Sequence, residues 1–366
     1  MASTAEEAGA AAGPSPRSPT KSPSKSPPLN PAASPDIEVD PGHEGADDDG
    51  DSLLGGSVAS STTSLSASIL EFRKIHGRTF HNFNTDTEYW GPNDERQNEH
   101  LDINHQMLLV AMDNKLYHAP IGDDPQRVID IGTGTGIWAI DFADQFPSAE
   151  VTGTDISPTQ PLWVPPNCKF ELDDAQLTWT YPDNHFDYIH MRLMMGSIKD
   201  WPALYKEVYR CLKPGGWFEH QDYDPRVVSD DGTVGSDSPW NQWGKIFIEA
   251  GEKLGRTFSV IIDRNNYGWM KDAGFENVQE KRIKLPLGSW PADPKWKTIG
   301  QYNLIATEQG LEGFALYVLT NVHGWGLEET QVYLASVRKE LHNRKNHAYY
   351  ETASVFGQKP KETGEQ

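Results

Sequence analysis

From about residue 127 to residue 221 the chain alternates short apolar runs with stretches whose apolar residues recur every three or four positions. The first kind of run reads as a buried strand and the second as a helix packed by one face. Strands are thereby predicted over 127–131, 150–154, 169–172, 186–190 and 217–221. Helices are predicted over 137–146 and 204–212, the second ended by Lys213-Pro214-Gly215-Gly216. Apolar strands in a β-α-β rhythm predict an α/β fold: a doubly wound, mostly parallel, Rossmann-like sheet with helices on both faces. Upstream, Leu101, Leu108, Leu109, Met112 and Leu116 fall on one stripe of a helix over 99–116. Downstream the rhythm changes. A helix over 266–273 runs into Gly274, well placed just past its end. Extended stretches at 278–285 and 348–356 have a helix over 327–342 between them. Two late strands so arranged predict an antiparallel edge strand on the sheet.

Residues 1–70 contain no Phe, Trp or Tyr and are rich in Pro, Ser, Ala, Gly and Asp. Such a segment buries too little apolar surface to offset its ordering entropy, which predicts a disordered tail. The repeat Ser18-Pro19-Thr20-Lys21, Ser22-Pro23-Ser24-Lys25, Ser26-Pro27 reads as a proline-directed phosphorylation tract or, more plainly, as a spacer. The remainder, 71–366, is expected to be one domain: a helical cover over 71–120, a cofactor-binding core over 121–285, and a cap with the last strand over 286–366. A net charge of −21 repels phosphate backbones, so no nucleic-acid partner is expected. Cys168 and Cys211 make no disulfide framework, which suits a reducing compartment. The first residues lack a basic stretch followed by an apolar one, and no apolar run is long enough to cross a bilayer. A soluble, intracellular protein, cytoplasmic or nuclear, is the expectation.

The chemistry begins at residues 128–136, VIDIGTGTG. A buried strand runs into a glycine turn, and a helix starts near Ile137. Ligands of such sheets bind beyond the carboxyl ends of the strands, and glycines let the backbone approach them where a Cβ would collide. A dinucleotide site wants its third glycine three positions after the second, with pyrophosphate on the helix N-terminus. Here the glycines are Gly132, Gly134 and Gly136, with Thr133 between the first two, and Asp130 stands two residues ahead of them. A carboxylate there opposes a pyrophosphate and suits a cationic aminoacyl end and a sulfonium. The turn therefore predicts S-adenosyl-L-methionine. Asp155, closing the strand VTGTD, is placed to grip a ribose diol; it reads also as a helix N-cap. Asp174 and Ala175 follow the third strand and are candidates for adenine, with Ile156 or Leu177 as its apolar packing; a solvated acidic turn is the plainer reading.

Transfer of a methyl group from a sulfonium needs alignment above all, and a base only where the acceptor must lose a proton early. His190, His220 and Asp222 lie where the fourth and fifth strands end and are the candidate catalytic residues. More plainly, His190 closes its strand by a hydrogen bond and His220 points outward onto a helix. Tyr89 and Trp90 read as a closure over the cofactor or as core. The tryptophans at 201, 217, 240, 243, 269, 290, 296 and 325 suggest an apolar pocket for a small-molecule acceptor under a C-terminal lid, or ordinary packing. The basic run from Arg338 to His347 reads as a solvated helix face or a contact for an acidic partner. Twelve histidines without cysteine-paired spacing predict no metal site.

With these residues in hand the chain resembles the fungal LaeA-like methyltransferases, a branch of the class I S-adenosylmethionine-dependent enzymes. The resemblance rests on YWGPNDERQNEHLDINH (89–105), GTGTGIWAIDFA (132–143), DISPTQP (155–161), FDYIHMR (186–192), WPALYKEVYRCLKPGGWFE (201–219) and DAGF (272–275). It implies a seven-stranded sheet in the order 3-2-1-4-5-7-6. It also implies that Asp130, Gly132, Gly134, Gly136, Asp155 and Asp174 hold the cofactor. Members of the family resemble either nuclear regulators of secondary metabolism with velvet-type protein partners or tailoring enzymes acting on small metabolites.

Overall fold

The computed structural model describes residues 36–40, 72–81 and 89–361. A short hairpin, β1 (Arg73–Ile75) and β2 (Arg78–Phe80), precedes helix α1 (Glu95–Ala111). Then come β3 (Arg127–Ile131), α2 (Ile137–Gln145), β4 (Glu150–Asp155), β5 (Cys168–Leu172), β6 (Phe186–Arg192), α3 (Trp201–Cys211) and β7 (Leu212–Tyr223). Helices α4 (Pro239–Leu254) and α5 (Asn265–Asp272) lead to β8 (Glu276–Pro286), and α6 (Pro294–Tyr317) and α7 (Leu327–Leu341) lead to β9 (Tyr349–Gln358). Seven strands form one sheet in the order β5-β4-β3-β6-β7-β9-β8. Counted from β3, this is the order the resemblance implies.

Strands β3 to β7 are parallel, and both β7 and β8 pair antiparallel with β9. The antiparallel strand therefore lies one place in from the margin, with β8 outermost. Side chains of β3 alternate between two cores, as strands covered on both faces require. Val128 packs with Trp138 and Phe142 of α2, whereas Ile129 and Ile131 pack with Leu204, Tyr205 and Val208 of α3. Trp138 is 1% exposed and its ring lies on His190 at 3.8 Å between centroids. Trp138→Ala should lower unfolding free energy by about 3–5 kcal/mol through the cavity it leaves. A urea denaturation midpoint that stays where it is would contradict that.

Local chemistry sets the element ends. Helix α1 starts earlier than its apolar stripe suggests because Asp94 caps it, accepting from Gln97 N at 3.1 Å while paired with Arg78. It stops at Met112, after which Asp113 and Asn114 adopt left-handed conformations. Lys213-Pro214-Gly215-Gly216 does not leave the sheet. It forms an irregularity in β7, where pairing with β6 steps from Phe186–Leu212 to Tyr188–Trp217. Gly215 N donates to Lys359 O at 2.8 Å, which ties this stretch to the chain after β9.

The cover is broader than the 286–366 segment expected for it. Its core joins Trp240, Trp243 and Phe247 of α4 to Leu311 and Ala315 of α6, Leu334 and Val337 of α7, and Phe80 and Trp90. Helix α6 crosses α1 closely because Gly310 and Gly313 face it. A Cβ on Gly310 would lie 2.8 Å from His100 Nδ1, and one on Gly313 2.8 Å from Gln97 Oε1. The proposed tail also needs one correction. Residues 36–40 lie against the main body, with Asp40 N donating to Trp290 O at 2.7 Å and Ala292 N to Glu38 O at 2.8 Å. Lys284 Nζ sits between Asp36 (3.2 Å) and Asp230 (2.7 Å). The remaining residues of 1–70, with the Ser-Pro repeat, lie outside the described residues. Among the described residues no helix is long and apolar enough to cross a membrane.

Candidate active site

The carboxyl ends of β3 to β6 open into one cleft of about 1080 Å³, walled on its far side by α1 and Tyr89. Its floor is the glycine turn. Gly132, Gly134 and Gly136 have φ of +67°, +59° and +81°, the left-handed region that side chains resist. Their surroundings differ. A Cβ on Gly132 would stand 2.3 Å from Met194 Sδ, and one on Gly136 2.3 Å from the Phe170 ring. At Gly134 the nearest atom is Leu101 Cδ1, at 3.4 Å. The outer glycines thus serve the protein's own packing, while the middle one faces open space in the cleft.

Asp130 does not line the cleft. It is buried under the turn, where Oδ2 accepts the Thr133 hydroxyl at 2.6 Å and Oδ1 accepts His190 Nδ1–H at 2.7 Å. Thr133 reaches the cleft above it and also donates its N–H to Thr154 O at 2.9 Å. Asp155 does line the cleft. Its oxygens accept Gly134 N at 2.8 Å and Ser157 N at 2.9 Å, and no helix follows it, which removes the N-cap reading. Burial raises its carboxyl to about 6 against the pull of those N–H groups. Asp174 and Ala175 line the same cleft, with Asp174 Oδ1 accepting Gln176 N at 3.0 Å. Ile156 shares the lining, whereas Leu177 is 54% exposed and stands outside it.

The three catalytic candidates are placed elsewhere. None of His190, His220 and Asp222 lines the cleft, and all three are buried. His190 is held between Asp130 and the Trp138 ring, and burial lowers its pKa. His220 points under α3. Its Nδ1 accepts the Tyr205 hydroxyl at 2.7 Å, its Nε2 donates to Asp222 Oδ2 at 3.2 Å, and Trp201 stacks on it. Asp222 Oδ2 also accepts Met194 N at 3.1 Å. Geometry thus assigns the trio to supporting the wall: one holds the acid under the turn, and two fix the backbone of Met194, whose side chain rests on Gly132.

Sequence reasoning passed over several lining residues, Arg192 above all. It ends β6, two residues beyond the predicted strand, and is the only Lys or Arg among the described lining residues of the cleft. Burial lowers its pKa, and the field of Asp130 acts first against that. Asn93 and Gln97 lie within the quoted YWGPNDERQNEH stretch, yet nothing in their spacing marks them as cleft residues.

Beside this cleft lies a second cavity of about 550 Å³, at the end of β7 and between α1, α4 and α6. Trp90, Trp243, Phe247, Phe314 and Tyr350 form its apolar walls. Trp90 is thus turned away from Tyr89's cleft, its Nε1 donating to Met195 O at 3.1 Å. Most of the other tryptophans are packing: Trp201 stacks on Trp269 at 5.2 Å, and Trp217, Trp240 and Trp290 are buried in the cores. In the basic run, His342 and His347 meet Glu308 and Asp231 of the same chain. Among the described residues no group of three or more His, Cys, Asp or Glu is arranged to hold a metal.

Comparison with known proteins agrees with this geometry. The family described as a methyltransferase domain matches residues 103–280. Methyltransferase pytC of Aspergillus terreus is 39% identical over 303 residues, 82% of this chain and 92% of that protein. Secondary metabolism regulator LAE1 of Cochliobolus heterostrophus is 38% identical over 280 residues, 75% of this chain and 90% of that one. Protein-methionine methyltransferase laeA of Emericella nidulans is 32% identical over 281 residues, 76% of this chain and 74% of that one. The chain belongs to the LaeA-like methyltransferases, enzymes that depend on S-adenosylmethionine.

Proposed function

We propose that the cleft binds S-adenosyl-L-methionine and that the enzyme methylates a small metabolite of fungal secondary metabolism. The order of chemical groups across the sheet carries this reading. Along β5, β4, β3 and β6 the strand ends present Asp174 and Ala175, then Asp155, then the glycine turn, then Arg192. These suit an adenine, a ribose diol, a sulfonium with its ammonium, and a carboxylate, in the sequence in which that molecule joins them. The open face of Gly134 fits the same ligand, since a side chain there would occupy its space.

Bound there, the cofactor supplies a methyl group already activated by its sulfonium. The chain's own contribution is orientation and exclusion of water. Alignment of two reactants is worth about 7–11 kcal/mol, more than a single proton transfer commonly supplies. Arg192 and Asp174 anchor the two ends of the donor and Asp155 its ribose, Asp130 and His190 hold the turn in shape, and Tyr89 with Met194 shields the space between.

Asp155 gives the reading a pH signature. Only the ionised carboxylate accepts both ribose hydroxyls, and burial delays ionisation until about pH 6. Affinity for the cofactor should therefore rise about tenfold between pH 5 and 7, since one unit below its pKa about a tenth of a carboxyl is ionised. Stability of the free protein runs the other way. The folded state keeps a proton that the unfolded chain releases near 3.8, so this group's contribution is lost as pH climbs through about 6. Calorimetric titrations across that range check the affinity, and Asp155→Asn should flatten the profile. An unchanged slope in that variant assigns the titration to another group.

Regulation of secondary metabolism, through protein partners of the velvet type, is a second reading; its regulatory part is favoured by the Cochliobolus relative, a secondary metabolism regulator. Metabolite profiling of a deletion strain separates the two. Loss of one methylated product, with its unmethylated precursor accumulating, supports the tailoring enzyme. Loss of many unrelated compounds supports the regulator.

A further inference from the structure

The second cavity has polar groups that no other part of the fold uses. His100, buried on α1, gives its Nδ1–H to Ala306 O at 2.7 Å, because a carbonyl can only accept. Its Nε2, the remaining ring nitrogen, has no hydrogen-bond partner among the described residues and belongs to a residue of the cavity wall. Burial pushes the His100 pKa down to about 4, so at neutral pH Nε2 is a bare acceptor. One turn along α1, Asn104 Oδ1 accepts the Tyr223 hydroxyl at 3.0 Å, leaving the amide N–H₂ without a partner among the described residues. The one carboxylate of the lining, Asp224, is already engaged by Arg226 through Nε at 3.0 Å and Nη2 at 2.6 Å. No Lys or Arg is among the described lining residues.

The cavity therefore offers aromatic walls and several neutral hydrogen-bonding groups, the His100 Nε2 acceptor, the Asn104 amide N–H₂, the Tyr350 hydroxyl and the Trp243 Nε1–H among them, and no lone charge to meet an ionic ligand. It adjoins the cleft through consecutive residues: Tyr89 and Met194 line the cleft, while Trp90 and Met195 line the cavity. We propose that this cavity receives the methyl acceptor, an uncharged aromatic molecule whose O–H or N–H hydrogen-bonds to Nε2 of His100. The assignment rests on the neighbouring cleft being the donor site. A carboxylate-bearing acceptor is disfavoured because its charge would be buried against Nε2 and Asp224 with no cation beside it.

Three related probes test this by equilibrium dialysis with S-adenosylhomocysteine present, at a pH where the phenol is un-ionised: coumarin, 7-hydroxycoumarin and coumarin-3-carboxylate. The expected result is that 7-hydroxycoumarin binds about tenfold tighter than coumarin, one hydrogen bond's worth, and that the carboxylate binds at least about tenfold more weakly than the phenol. His100→Leu should erase the difference between the first two, and His100→Gln, which keeps an acceptor, should restore part of it. Equal affinities for coumarin and its hydroxy derivative in the unaltered protein would overturn the proposal without any variant. So would a carboxylate that binds as well as the phenol, or no binding by any of the three. Calorimetry with S-adenosylhomocysteine alone keeps the two readings apart. If it fails to bind while the dialysis pattern holds, the donor site is misassigned and the cavity's selectivity stands. If it binds and the pattern fails, the acceptor class is wrong.

Discussion

Gly134→Asp should fold and lose its methyl donor, with affinity for S-adenosylhomocysteine reduced at least about a hundredfold. Folding survives for two reasons. Aspartate is among the few side chains that tolerate φ near +60°, and the nearest atom to the new Cβ is Leu101 Cδ1 at 3.4 Å. Binding does not survive, because the added carboxymethyl group projects into the cleft next to Asp155, whose Oδ2 already accepts Gly134 N at 2.8 Å. Bulk and a second buried anion act together. Circular dichroism establishes the fold and calorimetry reads the affinity. Retained affinity in a folded variant means that the ligand does not lie over the turn.

Asp130→Ala should be costlier to the protein itself. Its two oxygens accept the Thr133 hydroxyl and His190 Nδ1–H, and both partners are buried. Removing it strands two donors at about 1–3 kcal/mol each and takes away the charge whose field supports Arg192. A loss of about 3–5 kcal/mol is expected, the range for breaking a buried charged cluster by deleting one member. The turn should loosen with it, so cofactor affinity falls although Asp130 is not in the cleft wall. Asp130→Asn tells charge from hydrogen bonding, because its amide keeps the shape and one acceptor. Denaturation midpoints of the two variants, read beside their affinities, decide the matter. An alanine variant as stable as the unaltered chain would show that the acid is dispensable to the turn.

The sheet was legible because its strands are buried on both faces, so their apolar runs stand out against polar loops. Strand β3, Arg127–Ile131, matches its predicted bounds residue for residue. Helix α6 escaped notice for a physical reason. Helix α6 packs on α1, β8 and the cover core at once, and it places Gly300, Asn303, Gly310 and Gly313 at contacts where a one-faced helix would have large apolar residues. Site legibility followed the same logic. Gly132, Gly134, Asp155 and Asp174 line the cleft and are close in sequence to the strand ends that position them, whereas Gly136 packs on Phe170 outside its lining. By contrast, the directions of His190 and His220 depend on what α2 and α3 lay over the sheet, Trp138 in one case and Tyr205 in the other. The second cavity joins α1, α4, α6 and the end of β7, segments that no local pattern connects. The placement of residues 36–40 was equally hidden, because their partners, the backbone at Trp290 and Ala292 and the side chains of Lys284 and Lys297, lie far along the chain.

On the proposed reading, an acid-led glycine turn, closed by Asp155 and Arg192, selects a sulfonium nucleoside over a dinucleotide. Parallel calorimetric titration of the intact chain with S-adenosylmethionine and with NADH tests it most directly. Saturable one-to-one binding of S-adenosylmethionine, with no heat from NADH beyond dilution, is the predicted result. Saturable binding of NADH with none of S-adenosylmethionine would contradict it.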